Sequence, residues 1–500
     1  MPTAARFLAT NTHHNGFISH LNFSKMKMRQ TRVLASFGAI VFMALVAQNY
    51  FHYHTPPLSS EEEISRLNGI LEDFLSRPVL SYDDAVSLNS QTCPVNGTNF
   101  DRNTVNGNLR TWADIPSSQI HAWREGIIKN LRQKQIESIG KIASASSSSI
   151  NGPGNERKGK RGIVMAAGDR PALIRARTSL RLLKSYNCTL PVEIFHFNSE
   201  LSAPALGSLL SDILELRSSN FGSKGFTVTM RVVKEVSKGS GWKDFQIKGA
   251  AIQQSSFDDI LYLDTDSYPL RNPEYLFEGR EWRDTGLLLW PDYSKSHPTN
   301  PMWRLLGQPC RNEYEGESGQ ILISRARHQD ILWLIEYFAL HHEEFYGFMG
   351  GDRDSFRAAA LLLGKSWTGP GRANAVGAAK SPQNPQSGGH TMLQADPVGK
   401  WMFVHANLIK HSNFERPLWS QVHRILHDSF KEGTTYGNIE SPNDKIGEGV
   451  KLDVAVNPRL ITTMSTFKGY DGDLVAVEDW DSYEELKGFE EKWFGFGGVH

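Results

Sequence analysis

Cysteine is scarce: only Cys93, Cys188 and Cys310 occur in 500 residues. So few thiols exclude a disulfide scaffold, and their wide spacing matches no zinc-site pattern. The count allows one disulfide plus a free thiol, with the pairing open. Net charge is missing as well, because 54 Lys and Arg balance 54 Asp and Glu. No global field draws the chain to nucleic acid, and no basic stripe with interleaved aromatics occurs, so nucleic acid is excluded as a partner. Internal repeats are lacking. What is present is a 39% hydrophobic fraction over a long chain, enough for a sizeable core and about two to four domains by length.

One uncharged run stands near the start, residues 33–47 (VLASFGAIVFMALVA), after a basic stretch holding Lys25, Lys27, Arg29 and Arg32. At about 1.5 Å per residue, the run extended to Phe51 approaches the roughly 30 Å hydrocarbon thickness of a bilayer. A cleaved signal peptide is the competing reading, but about thirty residues precede the run, which favours a retained signal anchor. Positive charge before the span predicts a cytoplasmic tail over 1–32, a membrane helix over 33–51 and a luminal remainder. Two sequons suit a luminal body as glycosylation sites, at Asn96 and Asn187.

Residues 52–160 read as a luminal stem. A Pro-punctuated spacer leads into SEEEISRLNGILEDFL, where Ile64, Leu67, Leu71 and Phe74 recur at helical spacing and Ser60 and Glu63 form a capping-box pattern. Helix is also predicted over about 116–139, and the Ser/Gly/Lys stretch SASSSSINGPGNERKGKR reads as a linker ending near residue 160. From Arg161 the texture changes. Strand-like GIVMAAG, PVEIFHF, FTVTMRVV and DILYLDTD alternate with helix-like segments. That order predicts an α/β domain over 161–500, a Rossmann-type mixed sheet flanked by helices. A short helix is expected within the acidic, aromatic tail after about Lys468.

Ligands of such sheets bind outside the carboxyl ends of the strands, where DILYLDTD places Asp264 and Asp266. Two residues apart on an extended chain, these carboxylates point to the same side. Together they make a hard oxygen site for Mn²⁺ or Mg²⁺, which leaves positions open for phosphate oxygens. The plain alternative is one turn-capping Asp and one solvated Asp.

The segments FQIKGAAIQQSSFDDILYLDTDSYPLRNPEYLFE, GLLLWPDY, ESGQILISR, GDRDSFRAA and FVHANLIKH follow in that order. This ordered set resembles the fungal Golgi α-mannosyltransferases of the Mnn family over about residues 162–414. The resemblance implies a GT-A-like fold in a type II Golgi membrane protein. It further implies a luminal domain transferring mannose from GDP-mannose, with Mn²⁺ or Mg²⁺, to mannose residues of protein-linked glycans, with retention and in α-1,2 or α-1,3 linkage. The partners implied are GDP-mannose, a mannose-terminated glycan acceptor, the membrane and a complex of Golgi mannosyltransferases.

By the same resemblance, Asp264, Asp266 and His405 are metal ligands. Ala166, Ala167, Gly168, Lys248, Asp264 and Lys410 bind the donor. Trp290, Asp292, Glu317, Ser318, Gly319 and Gln320 line the sugar or acceptor pocket. Asp354, and after it Asp352, is the catalytic candidate. Two rival expectations are the same fold with an α-galactosyl or α-glucosyl donor, and an inactive membrane-anchored glycan-binding scaffold.

Overall fold

The computed structural model describes residues 60–93, 95, 100, 102–146, 160–198, 200, 226–238, 244–379, 389–409, 416–425, 435–436, 450–457, 462–469 and 475–498. The expected membrane span at 33–51, the sequon at Asn96, the side chains of the Ser60/Glu63 capping pair and Lys410 lie outside the described residues. Among the described residues no helix is long and apolar enough to cross a membrane.

Four strands carry the parallel half of the main sheet: β1 (Arg161–Ala166), β2 (Val192–His196), β3 (Val228–Val232) and β4 (Asp259–Leu263), side by side as β4-β1-β2-β3. The apolar runs of β1, β2 and β4 suit burial on both faces, as parallel sheets require, while β3 is a partly exposed edge strand. β5 (Ser267–Pro269) leaves this sheet. β6 (Leu287–Lys295) and β7 (Tyr314–Ser324) return to it, with β7 antiparallel to both β4 and β6, and the short β8 (Trp367–Thr368) runs parallel to β6. The expected mixed α/β sheet is therefore present. Because β7 runs against β4, Gln320 pairs with Leu263 and the preceding residues of β7 lie beside the carboxyl end of β4.

A second, antiparallel sheet was not legible beforehand. It contains β9 (Ala375–Ala378), β10 (Gly389–Ala395), β11 (Trp401–His405) and β12 (Gln421–Ile425), among others. β11 pairs with β10 on one side and with β5 on the other, and the register sets His405 opposite Ser267. That pairing carries a residue 139 positions downstream to the D-x-D turn. The expected tail helix forms at Phe489–Gly495, where Phe489 and Trp493 join Trp419, Trp480 and Tyr268 in a buried cluster.

Where a stem was expected, helices Ser60–Ser76, Tyr82–Thr92, Arg102–Asp114 and Ser117–Ser146 pack on the sheet domain. Ile120, Trp123, Ile127 and Leu131 recur at helical spacing, and they share one core with Leu71, Phe74, Val164, Ile260 and Ile321. Cys93 and Cys310 form a disulfide, Cα atoms 5.9 Å apart, across this contact. Buried Arg124 reinforces it by donating to the carbonyls of Arg77, Pro78, Arg304 and Leu305 at 2.6–3.0 Å. Residues Ser60–His500 are one compact unit as a result.

Candidate active site

β4 ends at Leu263, and the chain turns at once: the Ser267 amide donates to the Asp264 carbonyl at 3.0 Å, and the Asp264 amide donates to the Gly319 carbonyl at 2.8 Å. The Asp264 carboxylate is then oriented from two sides, by the Tyr262 hydroxyl at 2.9 Å and by Lys248 Nζ at 3.1 Å. Asp266 is buried, and its backbone carbonyl accepts the Ala406 amide at 2.8 Å, which pins the end of β11. His405 Nε2 lies 3.5 Å from Asp266 Oδ1. Asp264, Asp266 and His405 thus offer three ligand atoms within 4.8 Å of one another.

Two carboxylates and one imidazole form a donor set suited to Mn²⁺ more than to Mg²⁺, which prefers oxygen ligands throughout. Local packing fits the same purpose. A Cβ on Gly319 would fall 2.6 Å from His405 Cε1, so only glycine lets β7 approach the imidazole this closely. The Nδ1 atom of His405 is buried without a hydrogen bond, and Glu317 Oε1 is 3.9 Å away. Burial opposes protonation of this imidazole, but the hydrogen bond to Asp266 and the charges of Asp266, Glu317 and Asp264 outweigh it and move its pKa up. Surplus negative charge here therefore favours a cation. A metal ion would displace that proton.

Lys248 departs from its expected role as a donor-binding residue. It is fully engaged, with Nζ donating to Asp264, to Ser318 O and Oγ at 2.8 Å each, and pairing with Asp352 at 2.9 Å. Burial alone would depress its pKa, yet Asp264 and Asp352 hold it above the ordinary lysine value. It is an internal counter-ion that fixes Asp264, leaving no ammonium proton for a phosphate. Asp352 is kept somewhat above the usual carboxylate range by burial, with Lys248 opposing.

Asp354, expected to face the transferred sugar, points elsewhere. Both its oxygens receive Arg357, at 2.7 and 2.6 Å, and Oδ1 also accepts the Gly316 amide at 2.6 Å. Its 1% exposure leaves no face toward a substrate. Arg357 further binds Glu313 at 2.7 Å, while Arg353 pairs with Asp292 and with Glu315, the latter at 2.7 Å. Trp290 is likewise structural: its indole donates to the Ala395 carbonyl at 2.7 Å and meets Phe403 edge-on, joining the two sheets.

The remaining expected residues fall near the triad or at the end of β1. Ser318 holds Lys248, and Gln320 Oε1 accepts the Ser267 hydroxyl at 2.9 Å. Ala166, Ala167 and Gly168 end β1, and any side chain at Gly168 would collide with Glu200. Asn187 is exposed on a turn with φ of 58°, a conformation Asn tolerates, and the neighbouring Cys188 thiol is buried and pushed up to about 12 by burial. Sequence reasoning missed Tyr262, Arg353 and Arg357. The Asp354–Arg357 spacing of three, with a helix starting at Ser355, was the available signal for the last of these.

A family profile described as "Mannosyltransferase putative" matches residues 160–303 and 308–396. The "Alpha-1,2-mannosyltransferase MNN21" of Candida albicans is 28% identical over 256 residues, 42% of this chain and 38% of that one. The "Alpha-1,2-mannosyltransferase MNN5" of Saccharomyces cerevisiae is 23% identical over 299 residues, covering 47% and 50%. The match thus spans half or less of these relatives' length. Among solved structures, mouse xyloside xylosyltransferase 1 in its apo form is similar at a TM-score of 0.28 and 18% identity, over 40% of this chain and 81% of that one. The galactosyltransferase LgtC in complex with donor and acceptor sugar analogs gives 0.27 and 14%, over 39% and 69%.

Proposed function

We infer, from the chain's kinship with the fungal Mnn-type mannosyltransferases, that it is a glycosyltransferase, and we read it as a metal-dependent α-mannosyltransferase that uses GDP-mannose. The observation that carries this reading is the convergence of Asp264, Asp266 and His405 at the carboxyl end of β4. A GT-A-type arrangement is supported by the same placement, since open α/β sheets bind ligands at that edge. Transfer in α-1,2 linkage is supported by the names of the relatives, and the acceptor in this reading is a mannoside of a protein-linked glycan.

In this reading Asp264, Asp266 and His405 would hold the metal ion, which would supply Lewis-acid stabilisation of the charge on a departing diphosphate. The chain's own residues supply orientation. Lys248 and Tyr262 fix the Asp264 carboxylate, the Asp266 carbonyl anchors β11 beneath His405, and Gly319 leaves room for the imidazole. Ligands locked in this way lower the reorganisation needed at the moment of reaction. Small residues at Ala166 and Ala167 would allow the nucleotide to approach backbone, whereas the space beside Gly168 is taken by Glu200.

A luminal, secretory location completes the reading, with the N-terminal run at 33–51 as a Golgi membrane anchor and a mannosyltransferase complex as partner. The Cys93–Cys310 disulfide, of a kind that persists mainly in oxidising compartments, and the exposed sequon at Asn187 support the luminal location alone. The test uses the full chain purified in detergent, given GDP-mannose, UDP-galactose or UDP-glucose, with Mn²⁺ or EDTA and α-mannobiose as acceptor. Mannose transfer that disappears in EDTA is expected, with an α-1,2 linkage in the product. Transfer from a UDP-sugar instead would replace the donor, and transfer indifferent to EDTA would remove the metal from the mechanism.

A further inference from the structure

Eight carboxylates surround the candidate site, and six of them are held in pairs, each pair by one cation. Lys248 bridges Asp264 and Asp352, Arg353 bridges Asp292 and Glu315, and Arg357 bridges Asp354 and Glu313. A seventh, Asp266, faces His405. The eighth, Glu317, has no lysine or arginine partner among the described residues. Its Oε1 accepts the Gly319 amide at 2.9 Å, 3.9 Å from His405 Nδ1, and its Oε2 carries no hydrogen bond among the described residues. With 11% side-chain exposure, Glu317 is enclosed yet reachable.

The backbone places this carboxylate deliberately. Between β6 and β7 the register jumps from Leu289↔Ile321 to Trp290↔Glu317, so Ser318, Gly319 and Gln320 have no partner on β6, while Gln320 stays paired with Leu263 of β4. Bulges next to sites re-aim the side chains at their edges. Here the bulge sets Glu317 on the same wall as His405, one side chain from the metal triad. A sugar joined to a metal-held diphosphate would lie on that wall. A nucleophilic carboxylate must turn an oxygen toward the reacting carbon, and a buried carboxylate held by Lys or Arg would have to give up that pairing to do so, whereas Glu317 would not.

We propose that Glu317 is the catalytic carboxylate of this site, attacking the anomeric carbon of the donor. The proposal rests on the glycosyltransferase reading above. In the first step Glu317 Oε2 forms an ester bond to the anomeric carbon while the bond from that carbon to the diphosphate oxygen breaks, and the electron pair leaves with the nucleoside diphosphate. In the second, an acceptor hydroxyl oxygen bonds the same carbon, the ester bond breaks, and Glu317 recovers its carboxylate. The hydroxyl proton passes to the nucleoside diphosphate still held at the site. Two inversions give net retention.

The test compares wild-type chain with Glu317→Ala and the near-isosteric Glu317→Gln. Both variants are expected to lose transfer by at least about 10³-fold. They should bind Mn²⁺, followed by calorimetry, within about tenfold of wild type, because Glu317 contributes charge near His405 but no ligand atom to the triad. Azide added to Glu317→Ala should restore turnover and yield a glycosyl azide. Wild-type chain given donor without acceptor should carry one hexosyl group on the peptide containing Glu317. Transfer by either variant within about tenfold of wild type overturns the proposal, as does the absence of both azide product and labelled peptide. Loss of Mn²⁺ binding with activity overturns it too, by making Glu317 a support for His405. Wild-type chain that transfers from no donor sinks the underlying reading first, and the proposal with it.

Discussion

Replacing Lys248 with Met removes the one cation shared by Asp264 and Asp352 while keeping most of the side-chain volume. Lys248 Nζ is 3.1 Å from one carboxylate and 2.9 Å from the other, in a setting where the lysine side chain is 6% exposed. Removing one partner of a buried ionic network typically costs about 3–5 kcal/mol, because the remaining charges lose their compensation. A loss of that size is expected at pH 7, read as the change in urea midpoint at constant slope. The deficit should shrink on acidification. Asp352 already has a folded-state pKa raised by burial, and without Lys248 it rises further above its unfolded value of about 3.9. A carboxyl with a raised folded pKa binds more protons in the folded than in the unfolded state. Stability then falls as pH climbs from the unfolded pKa to the folded one. The variant should therefore recover part of its loss near pH 5, and Lys248→Met/Asp352→Asn should recover part of it at pH 7. A single variant within 1 kcal/mol of wild type, or a deficit independent of pH, would refute the counter-ion assignment.

Asp266→Asn should weaken Mn²⁺ binding by at least about tenfold, seen by calorimetry, with little change in thermal unfolding; unchanged titration would remove it from the triad. Gly319→Ala drives a methyl to within 2.6 Å of His405 Cε1, so either β7 or the imidazole must move. Reduced Mn²⁺ affinity is expected, and retention of wild-type affinity would show that the close approach is dispensable. Asp354→Asn should act on stability, since it strips Arg357 of a bidentate partner in the interior, by about 3–5 kcal/mol in urea unfolding. A variant that keeps wild-type stability but loses turnover would return Asp354 to the chemistry. Cys93→Ser should cost about 2–5 kcal/mol, measured under non-reducing conditions, because the bridge closes a loop spanning 217 positions.

The parallel half of the sheet could be read because β1 and β4 are unbroken apolar runs whose composition leaves little alternative to a buried strand. Asp264 and Asp266 were legible for a related reason, as acids at the carboxyl end of such a strand are conspicuous. His405 could be assigned only by resemblance. Its delivery depends on β5, a strand of three residues, pairing with β11, and no periodicity announces a strand so short. The helical layer illustrates a different limit. Ile120, Trp123, Ile127 and Leu131 say that one helix face needs covering, but the Ser-rich stretch before residue 160 made the sheet domain look separate from it. A low-complexity link tells nothing about whether the segments it joins share a core.

Charge pairing was the least legible feature, and it decides which acid is available for chemistry. In the sequence, GDRDSFR offers Asp352 and Asp354 before a helix, and both look like groups aimed at a ligand. The folded chain gives each to a cation instead, Asp352 to a lysine 104 positions upstream and Asp354 to the arginine one helical turn on. Three cations that each hold two carboxylates make a rigid anionic frame, one in which no acid can turn toward a substrate without abandoning a buried partner. The frame still leaves the triad and Glu317 with more negative than positive charge. That imbalance favours a bound cation, or a proton on His405, and among the described residues it leaves Glu317 as the carboxylate of this group with no lysine or arginine partner.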